Sequence, residues 1–236
     1  VFITCNYSNT SIDRDIDLYE ESVAGKVMYD APDPVEFFKN KLELSTNNDN
    51  NWRKYSGLQM FIAYKMIAEK WGSVLKDYDM IITVRTDHKF LVDFPDILSL
   101  YSGDDKIWKH KGNDWGGINY NLVCVPRKYI IEFLEGPYHY IVNSIDKILK
   151  LEPLNSESFI KHLFESKGWN PNTIDVNGFF TADSVDSITT WAAIKKSEKH
   201  GVLYKYEDQL EWAFENLEKF KNGKTWTYKD DAIVLA

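Results

Sequence analysis

Basic residues are the scarce charge in this chain. Lys and Arg number 28 against 36 Asp and Glu, and the net charge is −8. A nucleic-acid binder needs a basic face to displace counterions, so the balance argues against that class. A phosphorylated small molecule stays compatible, because a few local donors can hold one. Cysteine is nearly absent: Cys5 and Cys124 are the only two, each in an apolar run. They read as buried thiols and neither as a disulfide framework nor as a zinc site. The five His are scattered without ligand spacing, which counts against a metallohydrolase. There is no glycine-rich dinucleotide or P-loop motif and no Gly-x-Ser-x-Gly elbow for a Ser-His-Asp hydrolase. No stretch is long and apolar enough to span a membrane, and no signal-peptide pattern is seen. The expectation is a cytoplasmic protein without a transmembrane segment. The chain starts at Val1 and ends on AIVLA, as expected for one module of a longer polypeptide.

What is present is 236 residues, enough for one sizeable core, or a core plus a short extension. Aromatics reach 15%. The plain reading is a core rich in large rings; the sharper one is that some rings line a groove for a sugar or base. Strand signals fall at VFITC (1–5), KVMYD (26–30), MIITVRT (80–86), DKIWKH (105–110) and NLVCV (121–125). Helix signals fall at 34–44, 51–71, 127–135, 138–150, 156–168 and 206–220, with Gly136-Pro137 expected to separate two of them. For 156–168, Ser156 is the expected N-cap and Gly168 the stop. The polar loop STNNDNN (45–51) reads as a mobile segment. MIITVRT is apolar on both faces, which predicts a strand in the middle of a largely parallel sheet. Alternating strands and helices predict an α/β fold, a sandwich with a mostly parallel central sheet flanked by helices, plus a C-terminal helical arm.

Two acidic clusters flank that strand in DYDMIITVRTDHKF (77–90). Ligands bind at the carboxyl ends of strands in such sheets. Asp77-Tyr78-Asp79 lies at the amino end and reads as a solvated loop that only resembles an Asp-x-Asp metal motif. Asp87 and His88 lie at the carboxyl end. Arg85 and Asp87 are two apart, so a continuing strand would point both the same way. Arg85 would then hold phosphate oxygens or pair with Asp87, and Asp87 would ligate a divalent ion or a sugar hydroxyl. The plainer alternative is a structural Arg–Asp pair at a strand end. His88 would point the other way and reads as structural.

The run YDMIITVRTDHKF resembles the strand-to-loop signature of WavE-like lipopolysaccharide and capsular polysaccharide glycosyltransferases. Further features follow in the same order over residues 1–170: VFITCNYSNTS, the helix YSGLQMFIAYKMIAEKW, the segment WGGINYNLVCVPRKYIIEFL, and the helix NSESFIKHLFESKG. Similar modules occur in enzymes that glycosylate viral capsids. One departure is Asn119, where such relatives often carry an Asp. The resemblance implies a GT-A-like fold, expected as a nucleotide-sugar-binding catalytic domain over 1–185; the periodicity of 206–220 adds a helical extension over 186–236. It implies a hexosyl- or deoxyhexosyltransferase that uses a nucleotide-diphosphate sugar, a glycan acceptor, and Mn²⁺ or Mg²⁺.

On that resemblance, Asp87 is the expected metal ligand and Arg85 the phosphate partner. Thr4, Asn6 and Tyr7 would lie by the nucleotide base and ribose, with Arg53 and Gln59 on the following helix. An inverting enzyme needs a carboxylate base. Asp114, in the loop GNDWGG beside Trp115, is the first candidate and Glu157 the second. Two other classes stay open: a non-catalytic carbohydrate-binding module, and a sugar or phosphodiester hydrolase, which would need a denser set of metal ligands or two opposed carboxylates.

Overall fold

The first two strand signals become β1, Phe2–Asn6, and β2, Gly25–Tyr29, which pair in parallel. The computed structural model describes residues 2–6, 25–29, 32–39, 56–85, 87–92, 105–112, 114–152, 155–182, 193–221, 226–229 and 232–235. The polar loop 45–51 and the boundary expected near residue 185 lie outside these. Two compact units form, one from Val1–Tyr78 with Tyr129–Leu163, the other from Asp79–Lys128 with Phe164–Ala236.

Among the described residues the first unit is helical apart from β1 and β2. It holds α1 (Pro34–Phe37), α2 (Ser56–Leu75), α3 (Ile130–Ile148) and the start of α4 (Ser156–Lys167). Its core is aromatic: Phe61 packs against Phe159 at 5.0 Å and Tyr64 against Phe133 at 5.4 Å between ring centroids. Each such buried ring stabilises by about 2–3 kcal/mol through removal of apolar surface from water. Much of the aromatic surplus is therefore core. Gly136-Pro137 does not separate two helices. Both residues are buried inside α3, where proline forfeits one backbone hydrogen bond, and the non-helical residue is Ser144. The cap of α4 is Asn155, whose Oδ1 accepts from the Ser158 N–H at 2.7 Å, in place of the expected Ser156. Gly168, at φ +68°, ends this helix as expected.

The second unit carries a six-stranded sheet in the order β11 (Trp226–Lys229), β12 (Ala232–Leu235), β7 (Asn172–Ile174), β5 (Trp108–His110), β6 (Leu122–Pro126), β3 (Met80–Val84). Only the β12–β7 and β7–β5 pairings are parallel; the other three are antiparallel. This overturns the expected mostly parallel central sheet, and with it the GT-A-like sandwich. The strand MIITV was misplaced for a physical reason. Apolar β-branched residues favour strand wherever they sit, and β3 lies at the end of the order with Ile82 and Val84 37% and 47% exposed. The C-terminal region is not a helical arm either. It holds the hairpin β9 (Lys195–Ser197) and β10 (Val202–Tyr204), the helices α5 (Glu207–Glu215) and α6 (Leu217–Lys221), and the sheet strands β11 and β12. No helix among the described residues is long and apolar enough to cross a membrane.

A second, two-stranded sheet joins β4 (His88–Phe90) to β8 (Gly178–Phe180) in antiparallel register. One apolar cluster gathers Trp108, Leu122, Cys124, Ile174 and Val176; another gathers Phe179, Tyr204, Leu210 and Ala213, so α5 covers β8. The interior also holds two imidazoles. His88 stacks on Phe180 at 4.8 Å and lies 5.5 Å from His110 between ring centroids. Burial pushes the His88 pKa down to about 4; Asp87 nearby opposes this and Arg85 adds to it. Burial, His88 and Lys109 push His110 down to about 3.

Gly178 sits over this pair. A Cβ there would lie 2.7 Å from the Lys89 carbonyl oxygen and 2.8 Å from His88 Nε2. Gly178→Ala should therefore destabilise by about 1–3 kcal/mol through overpacking, read as a lower denaturant midpoint at unchanged slope. Both His have folded pKa values below the unfolded one of about 6.5, so the unfolded chain takes up protons first. Stability is full above about pH 6.5 and falls as pH drops toward 4, by on the order of 3 kcal/mol for His88 alone. Urea titrations from pH 7 to pH 4 should show that loss, and His88→Phe should flatten it.

Candidate functional site

Beyond β3 the ladder continues for one residue, as the Arg85 N–H donates to the Asn121 carbonyl at 3.2 Å. The chain then turns, with the His88 N–H donating to the Arg85 carbonyl at 3.1 Å. The turn brings the guanidinium onto Asp87. Nε donates to Oδ1 at 2.9 Å and Nη2 to Oδ2 at 2.7 Å, a two-pronged pair that leaves Nη1 out. Lys205, just past β10, donates from Nζ to the same Oδ2 at 2.5 Å. Its backbone N–H donates to the Phe180 carbonyl at 3.0 Å, and the Asp87 carbonyl accepts from the Thr181 N–H at 2.9 Å. Two chain segments thus meet at one carboxylate, and backbone bonds to Phe180 and Thr181 hold both in place. The Arg85 guanidinium lies over the Phe180 ring, 5.2 Å from its centroid. Burial alone would raise the Asp87 pKa; Arg85 and Lys205 overcome that and hold it down at about 2.

Phe180 also leads to a second feature. Tyr206 lies 6.2 Å from Phe180, and Trp115 lies 6.2 Å from Tyr206, between ring centroids. Trp115 is 58% exposed and sits at φ +44°, a left-handed conformation that costs a large side chain on the order of 1–3 kcal/mol. The neighbouring Asp114 explains how the loop is held. Its Oδ1 accepts from the ammonium of Lys109 at 2.6 Å and from the Asn119 N–H at 2.7 Å. The Asn119 side chain is fully buried; Nδ2 donates to the Gly112 carbonyl at 2.8 Å and Oδ1 accepts from the Asn121 N–H at 2.9 Å. An aspartate could not make that donation, so the amide at the departure from the glycosyltransferase pattern has a local reason.

The other expected residues fall elsewhere. Asp79 pairs with Arg127 at 2.9 Å in an exposed position at the amino end of β3, in keeping with a solvated loop. Thr4 and Asn6 belong to β1, while Tyr7 and Arg53 lie outside the described residues. Gln59 is on α2 in the first unit, with a buried Oε1 that lacks a partner among the described residues. Glu157 is also in the first unit, in the opening turn of α4, where its Oε2 accepts from the Ser156 hydroxyl at 2.9 Å. Sequence reasoning missed Lys205, which is 118 residues from Asp87, and the Lys109 partner of Asp114. Nothing local in the sequence marks either contact.

The Mn²⁺ or Mg²⁺ implied at Asp87 does not fit the groups gathered there. A hard divalent ion wants several oxygen donors. Both oxygens of Asp87 are taken by cationic donors. Each unit of positive charge about 4 Å from another costs roughly 4 kcal/mol at an effective dielectric of about 20, twice that for a divalent ion. Among the described residues no group of three or more His, Cys, Asp or Glu side chains gathers to hold a metal. No protein-family model matches the chain, and no curated protein matches it.

Proposed function

We propose that the protein is a glycosyltransferase that moves a sugar from a nucleotide-diphosphate sugar to a glycan acceptor hydroxyl. One observation carries the reading: two cations converge on one carboxylate, and an aromatic path of Phe180 and Tyr206 leads from them to the exposed Trp115. Sugar transfer from such a donor develops negative charge on the departing diphosphate, and a positively charged recess stabilises it. Arg85 supplies a planar fork that suits phosphate oxygens, and Lys205 a point charge beside it. Trp115 offers an apolar face of the kind that stacks on a pyranose ring. Asp114 is the proposed base for the acceptor hydroxyl. Its Oδ1 is anchored to Lys109 and Asn119, and that anchoring aims the carboxylate.

A panel of nucleotide sugars, scored for free nucleotide diphosphate and for sugar joined to oligosaccharide acceptors, tests the reading. At least one donor should turn over. Asp114→Asn should lower kcat about 100-fold or more with donor KM little changed. Trp115→Ala should lower kcat/KM for the acceptor roughly tenfold. Oligosaccharide binding lost in Trp115→Ala, without affinity for any nucleotide, would replace this reading with that of a carbohydrate-binding module.

A further inference from the structure

Asp87 has the wrong neighbours for a metal ligand and the right ones for a stand-in anion. Its two oxygens occupy the fork of Arg85 and the head of Lys205 as two oxygens of a phosphoryl group would. Among the described residues the cluster holds two cations to one carboxylate, an excess of one positive charge in a half-buried setting. The Arg85 guanidinium and the Lys205 backbone each have a second contact besides Asp87. Arg85 lies over Phe180, and the backbone of Lys205 is bonded to that same residue. The ring contact of the Arg85 guanidinium and the backbone bond of Lys205 do not involve the Asp87 carboxylate.

We infer that the Arg85–Asp87–Lys205 cluster is a metal-independent diphosphate site in which Asp87 is an internal placeholder that an incoming diphosphate displaces. The identity of the anion as a nucleotide diphosphate rests on the glycosyltransferase reading; the exchange itself rests only on the cluster. Displacement makes Asp87 a competitor of the ligand. Removing its charge therefore strengthens binding, whereas removing a metal ligand would abolish it. It also places the ligand's charge against side chains, so affinity falls with added salt and is indifferent to chelators.

The test is calorimetric titration of the full chain with inorganic pyrophosphate in EDTA, repeated with Mg²⁺ and with Mn²⁺. Pyrophosphate should bind in EDTA, with no tightening by either ion. Lys205→Met should weaken binding about tenfold, the worth of one charge-assisted hydrogen bond, and Asp87→Asn should tighten it by a similar factor. Asp87→Asn leaves two cations unpaired and its fold is thereby at risk. If it is too unstable to titrate, its melting temperature serves instead, and pyrophosphate in EDTA should raise it further than it raises wild type. Binding that requires a divalent ion, or that is lost in Asp87→Asn while the fold persists, overturns the inference, as does no binding by wild type. The two readings fail separately. Pyrophosphate binding in EDTA without turnover of any nucleotide sugar keeps the site and sinks the transferase. Metal-dependent binding with sugar transfer does the reverse.

Discussion

A carboxylate leaves water only when cations receive it, and at Asp87 two do so from different parts of the chain. Arg85 comes from the end of β3 and Lys205 from the end of β10, while the Lys205 N–H is bonded to Phe180 at the end of β8 and the Asp87 carbonyl to Thr181 just after it. The pair with Arg85 is local and the one with Lys205 is not, so the long-range contact completes only when the β9–β10 hairpin is in place. Breaking such a buried set by removing one partner typically costs about 3–5 kcal/mol, because a charge is left without an answer. The arrangement also sets what comes next in sequence: with Asp87 held at the turn, His88 enters the interior and stacks on Phe180.

The interior of the second unit is more polar than a sheet of this size requires. His88, His110, Asn119, Asn121, Asn172 and Asn177 are all buried there with the apolar strands. Several are tied to backbone, as Asn119 is to Gly112 and Asn177 to the Ala213 carbonyl at 2.9 Å. Such contacts hold loops and helix α5 in one register where shape-tolerant apolar packing would not. The loop that presents Trp115 at a strained φ is held in this way, through Asp114, Lys109 and Asn119.

What could be read in advance follows the reach of each interaction. The helix expected over 156–168 and the strand expected over 121–125 form as Ser156–Lys167 and Leu122–Pro126, because periodicity and stop signals are local. The Arg85–Asp87 contact was legible because only one residue separates the two. Lys205 was invisible because its partner is far away in sequence. The apolar strand β3 was misjudged as central, since composition records strand propensity and not the number of neighbours. Gly136-Pro137 reads as a helix boundary in the sequence, but buried packing of α3 outweighs one missing hydrogen bond. Asp114 stands out in the sequence as an acid beside Trp115, yet the ammonium that anchors it comes from a strand that carries no motif.

The division of the chain has a consequence for how the protein comes into being. Each unit is assembled from two separated stretches, and the chain passes from one unit to the other after Tyr78, after Lys128 and after Leu163. On a ribosome residues 1–78 emerge before α3, the helix that α2 packs against. They must wait through the synthesis of 50 residues that belong elsewhere. Strand β3 likewise emerges before β6, its partner, and the Asp87 carboxylate before Lys205. Vectorial synthesis therefore cannot finish either unit before it has begun the other, and apolar helix faces stay uncovered in the interval.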